Sequence, residues 1–298
     1  MRLAVAATPS IAIPALDYLR KTREISFIIT QPDKPTGRGQ VMKSSEVAQW
    51  GSHYGIEVLK PEKIATIAER LKDIDVVITI AYGQLVPEIV LSLPRFGFIN
   101  LHYSLLPSWR GAAPVQRSLL AGDRITGVSV FHLDKGMDTG PIYSQKSLQI
   151  ERNWRSYELY QALNKLGIEA IQESLEMIAS GDAPREQVGL PSMAPKILKE
   201  EYQLDFNLPA ELLIRKIKAL YPSAFLKFAG IRLKITSAHE GGESLKPVGE
   251  IVSLAPLTIT CGESTTIIIE SLVPEGKREM KAEEWINGAR LHIGDKFA

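Results

Sequence analysis

Short apolar runs alternate with helically spaced segments over the first part of the chain. Residues 2 to 7 form an apolar run that stops at Thr8-Pro9-Ser10, and Ile11 to Lys21 then carry Ile13, Leu16 and Leu19 at helical spacing. A strand, a turn and a helix are predicted. A second run, Ile25 to Thr30, ends in Gln-Pro-Asp-Lys-Pro-Thr-Gly-Arg-Gly, so residues 31 to 43 read as a loop. Asp75 to Ile80, Phe98 to Leu101 and Gly127 to Leu133 are further strand candidates, with helix-like segments around 44 to 54, 62 to 72 and 113 to 121. This alternation predicts a mostly parallel α/β sheet covered on both faces.

A long amphipathic helix over Tyr157 to Ser180, with Leu159, Leu163, Leu166, Ala170 and Leu175 near helical period, closes this part at Gly181-Asp182. Periodicity then lapses, and Pro184, Gly189, Pro191 and Pro195 mark a linker. A helix over Pro209 to Leu220 and short β-branched runs at 231 to 236, 249 to 253, 257 to 260 and 265 to 270 suggest a small β-barrel or sandwich. The division is a first domain over 1–183, a linker over 184–205 and a second domain over 206–298.

Composition narrows the class. With 298 residues, 45% hydrophobic and 23% charged, the chain has room for two cores and the balance of a globular protein. A net charge of +1 gives no global pull toward nucleic acid or anionic lipid, so a polyanion partner needs a local patch. The single cysteine, Cys261, excludes an internal disulfide and a thiolate-rich zinc site, and suits a reducing, cytoplasmic setting. No run approaches a membrane span, and Thr8-Pro9-Ser10 with Pro14 interrupts any leader-like stretch.

The candidate chemistry centres on Ile99 to Pro114. Asn100 and His102 stand two apart at the end of a strand, so an amide and an imidazole share one face where open α/β sheets place ligands. Spacing alone fits polar groups that merely satisfy nearby backbone. Asp138, in the Gly-flanked loop after the strand at 127 to 133, could converge on the pair, whereas Asp134 in the same loop reads as structural. His53, His132, His239 and His292 lack metal-ligand spacing, and no metal is expected. Ser104 has no nucleophile-elbow context, and the usual dinucleotide and Walker fingerprints are missing. Lys34, Arg38 and Lys43 in the 31 to 43 loop could meet phosphate or simply be solvated. Six cations and no acid between 212 and 236 (Arg215, Lys216, Lys218, Lys227, Arg232, Lys234) could be a polyanion track or a solvated face.

The motifs carry a resemblance over nearly the whole chain. Ala-Ala-Thr-Pro after the first strand, Gln-Pro-Asp-Lys-Pro-x-Gly-Arg-Gly, Ala-Tyr-Gly-Gln-Leu-Val-Pro at 81 to 87, Asn100-Leu-His-Tyr-Ser-Leu-Leu-Pro-Ser-Trp-Arg-Gly, Met-Asp-Thr-Gly at 137 to 140 and Leu-Val-Pro-Glu-Gly-Lys-Arg-Glu-Met at 272 to 280 resemble the formyltransferases that use 10-formyltetrahydrofolate. The 31 to 39 loop and the C-terminal segment resemble the branch that acts on initiator methionyl-tRNA. The resemblance implies a Rossmann-like domain followed by an OB-like barrel, and a monomer that formylates the methionine α-amine. It implies Asn100, His102 and Asp138 as the catalytic set. Tyr82, Gly83, Leu85, Ser104, Leu105, Leu106 and Pro107 would form the folate pocket. Lys34, Arg38, Lys43, Arg215, Lys218 and Lys227 would contact tRNA, with no metal, membrane or DNA involved. Ala7 and Tyr103 depart from the family's usual glycine and small residue. A formyltransferase for amino-sugar nucleotides, a non-catalytic RNA-binding protein and a hydrolase that releases formate from the folate without an acceptor remain alternative readings.

Overall fold

The structure is a computed structural model that describes residues 1–36 and 39–297, and its contacts fall into two units. The first comprises Met1–Pro114, Ile125–Gln149 and Tyr160–Ala194. In chain order it opens with β1 (Leu3–Ala7), α1 (Ile13–Thr22) and β2 (Ile25–Ile29), then β3 (Lys34–Thr36), β4 (Val41–Lys43), α2 (Glu46–His53) and β5 (Val58–Leu59). It continues through α3 (Ala68–Leu71), β6 (Val76–Ile80), α4 (Glu88–Leu91), β7 (Phe98–His102) and β8 (Arg110–Gly111). After α5 (Pro114–Ala121), which past its first residue falls in the second unit, come β9 (Ile125–His132), β10 (Ile142–Gln149), α6 (Ser156–Ser180) and β11 (Met193–Ala194).

Seven strands form a Rossmann-like sheet in the order β10-β9-β7-β6-β1-β2-β5. Ladders from β7 to β5 are parallel, whereas β9 runs antiparallel to both β7 and β10. The chain builds outward from β1 to β2 and β5, then returns to place β6 and β7 on its other side. Open α/β sheets bind ligands in a crevice at such a reversal, here at the carboxyl ends of β1 and β6. Every residue of β1 and β6 is buried, which explains their continuous apolar runs. Gly167 lets α6 approach β7 closely, since a Cβ there would lie 2.8 Å from Leu101 Cδ2.

Several expectations change. Residues 31 to 43 are not loop throughout, because β3 and β4 pair antiparallel there. Both strands are exposed on both faces, so no alternation marked them. The helix expected over 62 to 72 shrinks to a 3-10 turn at Ile64–Ile67 and the single turn of α3. Strand β10 carries no apolar alternation, because its inward positions include Ser144. Within the stretch read as linker, β11 pairs with β8. No helix among the described residues is long and apolar enough to cross a membrane.

The second unit comprises Val115–Arg124, Ile150–Leu159 and the chain from Pro195 onward. Its elements are α7 (Ala210–Ala219), β12 (Phe225–Phe228), β13 (Ile231–Glu243), β14 (Ile251–Leu254), β15 (Leu257–Thr260), β16 (Thr265–Pro274), β17 (Met280–Lys281) and α8 (Ala282–Ala289). The strands form an antiparallel sheet in the order β12-β13-β16-β15-β14, with β17 beside β16 and the apolar face of α7 packed on β13 and β16. Among the described residues no ladder joins β12 to β14, so the expected closure into a barrel is absent from the strand pairing. Strand β13 runs well past the predicted 231 to 236 because its second half is largely exposed and carries no apolar signal.

Candidate active site

Alternation along β7 turns Leu101 toward α6 and puts Asn100 and His102 on the opposite face, next to the crevice. Thr79 of β6 lies opposite Asn100 in the ladder, and its hydroxyl donates to Asn100 Oδ1 at 2.7 Å. That bond orients the amide so that its Nδ2 hydrogens are left to donate.

His102 is 5% exposed. Its Nε2 lies 2.9 Å from the Trp109 carbonyl oxygen. A carbonyl only accepts, so Nε2 carries the proton and Nδ1 of the neutral ring presents its lone pair. Nδ1 faces Asp138 Oδ2 at 3.7 Å, and the ring meets Phe131 edge-on. Burial pushes the imidazole below the ordinary histidine value, opposed by the Asp138 charge and the Trp109 carbonyl. The site therefore holds a neutral base beside a carboxylate that would welcome a positive ring.

Both flanking groups sit on strained backbone. Trp109 and Asp138 have φ of 62° and 56°, a region that costs a residue with a side chain roughly 1–3 kcal/mol. Asp138 Oδ2 accepts the Gly111 N–H at 2.7 Å. Asp134 instead closes its own turn, accepting from Gly136 N–H and the Thr139 hydroxyl.

The loop at 81 to 87 is anchored at the crevice. The Tyr82 carbonyl accepts from the Thr8 hydroxyl at 2.9 Å and the Gln31 side chain at 3.2 Å, while its phenol donates to Gln84 Oε1. Burial pushes the Tyr82 hydroxyl up to about 12. Gly83 has φ of 79°, and Leu85 is 87% exposed. Across the site, the Ser104 hydroxyl donates to the Ser108 carbonyl and closes its own turn. Leu105 is half-buried, Leu106 and Pro107 are buried, and their turn is held by Ser129 and Gln145. Tyr103 turns to the α6 side, its hydroxyl donating to Asn164 Oδ1 at 2.8 Å, so this departure from the family pattern lies away from the crevice.

Residues 1–175 match the family described as "Formyl transferase", and residues 196–290 match "Formyl transferase, C-terminal domain". The chain belongs to the formyltransferase family. It is 39% identical over 305 residues to the methionyl-tRNA formyltransferase of Thermus thermophilus, covering 100% of this chain and 99% of that protein. The methionyl-tRNA formyltransferase of Thermobifida fusca is 36% identical over 308 residues, with coverage of 100% and 99%. The fold is shared with HypX from Aquifex aeolicus, solved in complex with tetrahydrofolic acid, at a TM-score of 0.69 and 17% identity, over 98% of this chain and 48% of that one.

The basic residues are distributed unevenly. Lys34 and Lys43 pair across the exposed β3–β4 ladder, while Arg38 lies outside the described residues. In the second unit, Arg215 is bound to Glu211 and to the Ala121 carbonyl, and Lys218 donates to the Arg152 carbonyl at 2.8 Å. Burial lowers the pKa of Lys216 and Lys218. Lys227 is exposed and pairs directly with Arg232 on the β12–β13 hairpin, with Lys234 two positions along on the same face. Arg232 stacks on Phe225 at 3.9 Å. Thr79 and the Trp109 carbonyl were missed as site groups, since neither a buried strand threonine nor a backbone oxygen carries a sequence signal. Among the described residues no group of three or more His, Cys, Asp or Glu side chains is placed to hold a metal ion.

Proposed function

We propose that the enzyme transfers a formyl group from 10-formyltetrahydrofolate to the α-amine of methionine esterified to initiator tRNA. The observation that carries the chemistry is a buried neutral imidazole whose bare Nδ1 faces a carboxylate, two residues from an oriented amide. Full-length likeness to relatives named for this acceptor supports the substrate assignment.

The folate is a co-substrate, and the crevice suits it. Leu85 offers an exposed apolar surface, Leu105 to Pro107 an apolar turn, and Tyr82 with Gly83 a backbone held by Thr8 and Gln31. Attack of the neutral amine on the formyl carbon forms a C–N bond and moves negative charge onto the formyl oxygen. Asn100 Nδ2–H donates to that oxygen, a contribution of about 3 to 4 kcal/mol in comparable sites. The attacking nitrogen must lose a proton, and His102 Nδ1 accepts it, with Asp138 stabilising the resulting imidazolium. Breaking the bond to the folate nitrogen needs a proton on that nitrogen, which His102 returns, leaving ring and carboxylate as they began. Holding both substrates in register lowers the barrier further.

In the second unit, Lys227, Arg232 and Lys234 offer a basic strip for tRNA phosphates, with the β3–β4 hairpin of the first unit a second basic element. Arg215 and Lys218, already bonded internally, serve local structure. The small antiparallel domain is read as OB-like, and the chain as a cytoplasmic monomer.

The test offers labelled 10-formyltetrahydrofolate with either charged initiator tRNA or an amino-sugar nucleotide. Label on tRNA-linked methionine is expected. Label on the sugar alone, or formate released without acceptor, would overturn the assignment.

A further inference from the structure

The segment from Arg185 to Ala194, which reads as linker in sequence, lies across the His102 site. At one end Arg185 exchanges backbone hydrogen bonds with Ile142 at 2.7 and 2.9 Å, and at the other Met193 and Ala194 pair with Arg110 and Gly111. Between these anchors Val188 and Leu190 are exposed, whereas Gln187 and Ser192 are half-buried. Gln187 Nε2 donates to the carbonyls of Asp138 at 2.9 Å and Gly140 at 2.8 Å, while its Oε1 accepts from the Arg110 guanidinium at 2.6 Å. Ser192 Oγ accepts the Trp109 N–H at 2.9 Å. Its backbone takes up the Arg110 N–H and the Pro107 carbonyl.

Each nitrogen of His102 therefore looks at a group fixed from this one segment. Nδ1 looks at Asp138, whose backbone Gln187 holds, and Nε2 looks at the carbonyl of Trp109, whose N–H Ser192 holds. Both held residues are in the left-handed region, where a residue with a side chain stays only if outside contacts over-determine it. We propose that Gln187 and Ser192 are positioning residues for formyl transfer, Gln187 keeping the Asp138 carboxylate beside Nδ1 and Ser192 keeping the Trp109 carbonyl on Nε2–H. This rests on reading His102 as the group that moves the proton.

The chemistry gives the two residues separable effects. A neutral histidine facing a carboxylate prefers to put its proton on the nitrogen that faces it. Here that tautomer would block the lone pair the reaction needs, and the Trp109 carbonyl opposes it. Loss of the Ser192 hydroxyl lets Trp109 relax and the ring fall toward the Nδ1–H form. Loss of the Gln187 donations lets the carboxylate retreat, which weakens the stabilisation of the protonated ring. Among the described residues Asp138 is the ionised group acting on His102, with Phe131 and the Trp109 carbonyl its uncharged neighbours.

The test compares Gln187→Glu, Gln187→Met, Ser192→Ala and Ser192→Thr for kcat, both KM values and the pH profile. It adds NMR of nitrogen-labelled histidine, the His102 signals being assigned by their loss in His102→Ala. Gln187→Glu keeps an acceptor for Arg110 but cannot donate to the two carbonyls. It should lower kcat about ten- to a hundredfold, the scale set by small misplacements of catalytic groups, with each KM little changed. In Gln187→Met, which makes neither donation and adds no charge, the acid limb should move to lower pH. Ser192→Ala should lower kcat and shift the His102 signals toward the Nδ1–H form, and Ser192→Thr should restore both. In an Asp138→Asn background, Gln187→Glu should cost little more. Wild-type turnover in Gln187→Glu together with a wild-type pH profile in Gln187→Met, an unshifted tautomer in Ser192→Ala, or an equal further loss in the Asp138→Asn background would overturn the proposal. If Asp138→Asn itself turns over normally, the reading of His102 and Asp138 fails first and takes this inference with it.

Discussion

Replacing Asp138 by asparagine removes a charge while sparing the geometry. The amide oxygen that takes the place of Oδ2 still accepts the Gly111 N–H, so the loop stays tied. The separation of 3.7 Å between His102 Nδ1 and Asp138 Oδ2 sets the magnitude. At an effective dielectric of about 20, a carboxylate and an imidazolium at that distance attract by about 4 to 5 kcal/mol. The Asp138 side chain is 17% exposed, so solvent trims this, and roughly 3 to 4 kcal/mol of barrier is expected, a hundred- to a thousandfold in kcat. The pH effect has a definite sign. The carboxylate favours the charged ring, so its removal lowers the His102 pKa further and moves the acid limb of the rate profile to lower pH. Initial rates of formyl transfer between about pH 5.5 and 8.5, with equilibrium binding of each substrate, measure both effects. Turnover within about fivefold of wild type on the plateau, with the limb unmoved, would refute the electrostatic role.

Other perturbations probe separate parts of the account. Thr79→Val keeps the shape of a buried strand residue but frees the Asn100 amide to turn, and kcat should fall about tenfold with substrate binding unchanged; unaltered kcat would remove Thr79 from the site. Lys227→Ala combined with Arg232→Ala should weaken tRNA binding and flatten its salt dependence by about one to two in log–log slope, whereas an unchanged slope would take the strip off the tRNA surface. Burial holds the pKa of both His102 and His132 below the ordinary value of about 6.5, so protonation favours the unfolded chain. The stability they contribute is fully present above that value and is lost as pH falls through the folded values. Thermal unfolding should shift down between pH 7.5 and 5.5, and less so in His132→Gln; equal shifts in both proteins would contradict this.

The parts of the fold legible in sequence are those where burial imposes a pattern. Strands β1 and β6, buried at every position, announced themselves as apolar runs, and α6 did so through its buried stripe. Elements that bury little stayed hidden. Strands β3 (Lys34–Thr36) and β4 (Val41–Lys43) are solvated on both faces, and β13 continues through His239 and Glu240 without apolar support. The candidate site divides the same way. Asn100 and His102 could be paired by strand alternation alone, but Asp138 lies across a loop, and the tautomer of His102 depends on a main-chain oxygen that no residue type reveals. The basic run from 212 to 236 shows the converse. Counting charges placed Arg215 and Lys218 with Lys227, whereas the structure binds the first two to their own unit and leaves Lys227 and Arg232 side by side on a sheet face.

The central claim is tested most directly by single-turnover transfer from 10-formyltetrahydrofolate to charged initiator methionyl-tRNA, run with the wild-type chain and with His102→Ala. The account predicts one tetrahydrofolate released per formylmethionyl-tRNA formed. In His102→Ala the rate should fall at least about a hundredfold while both substrates still bind. Absence of formylmethionine with the wild-type chain, or transfer by His102→Ala at a comparable rate, would contradict it.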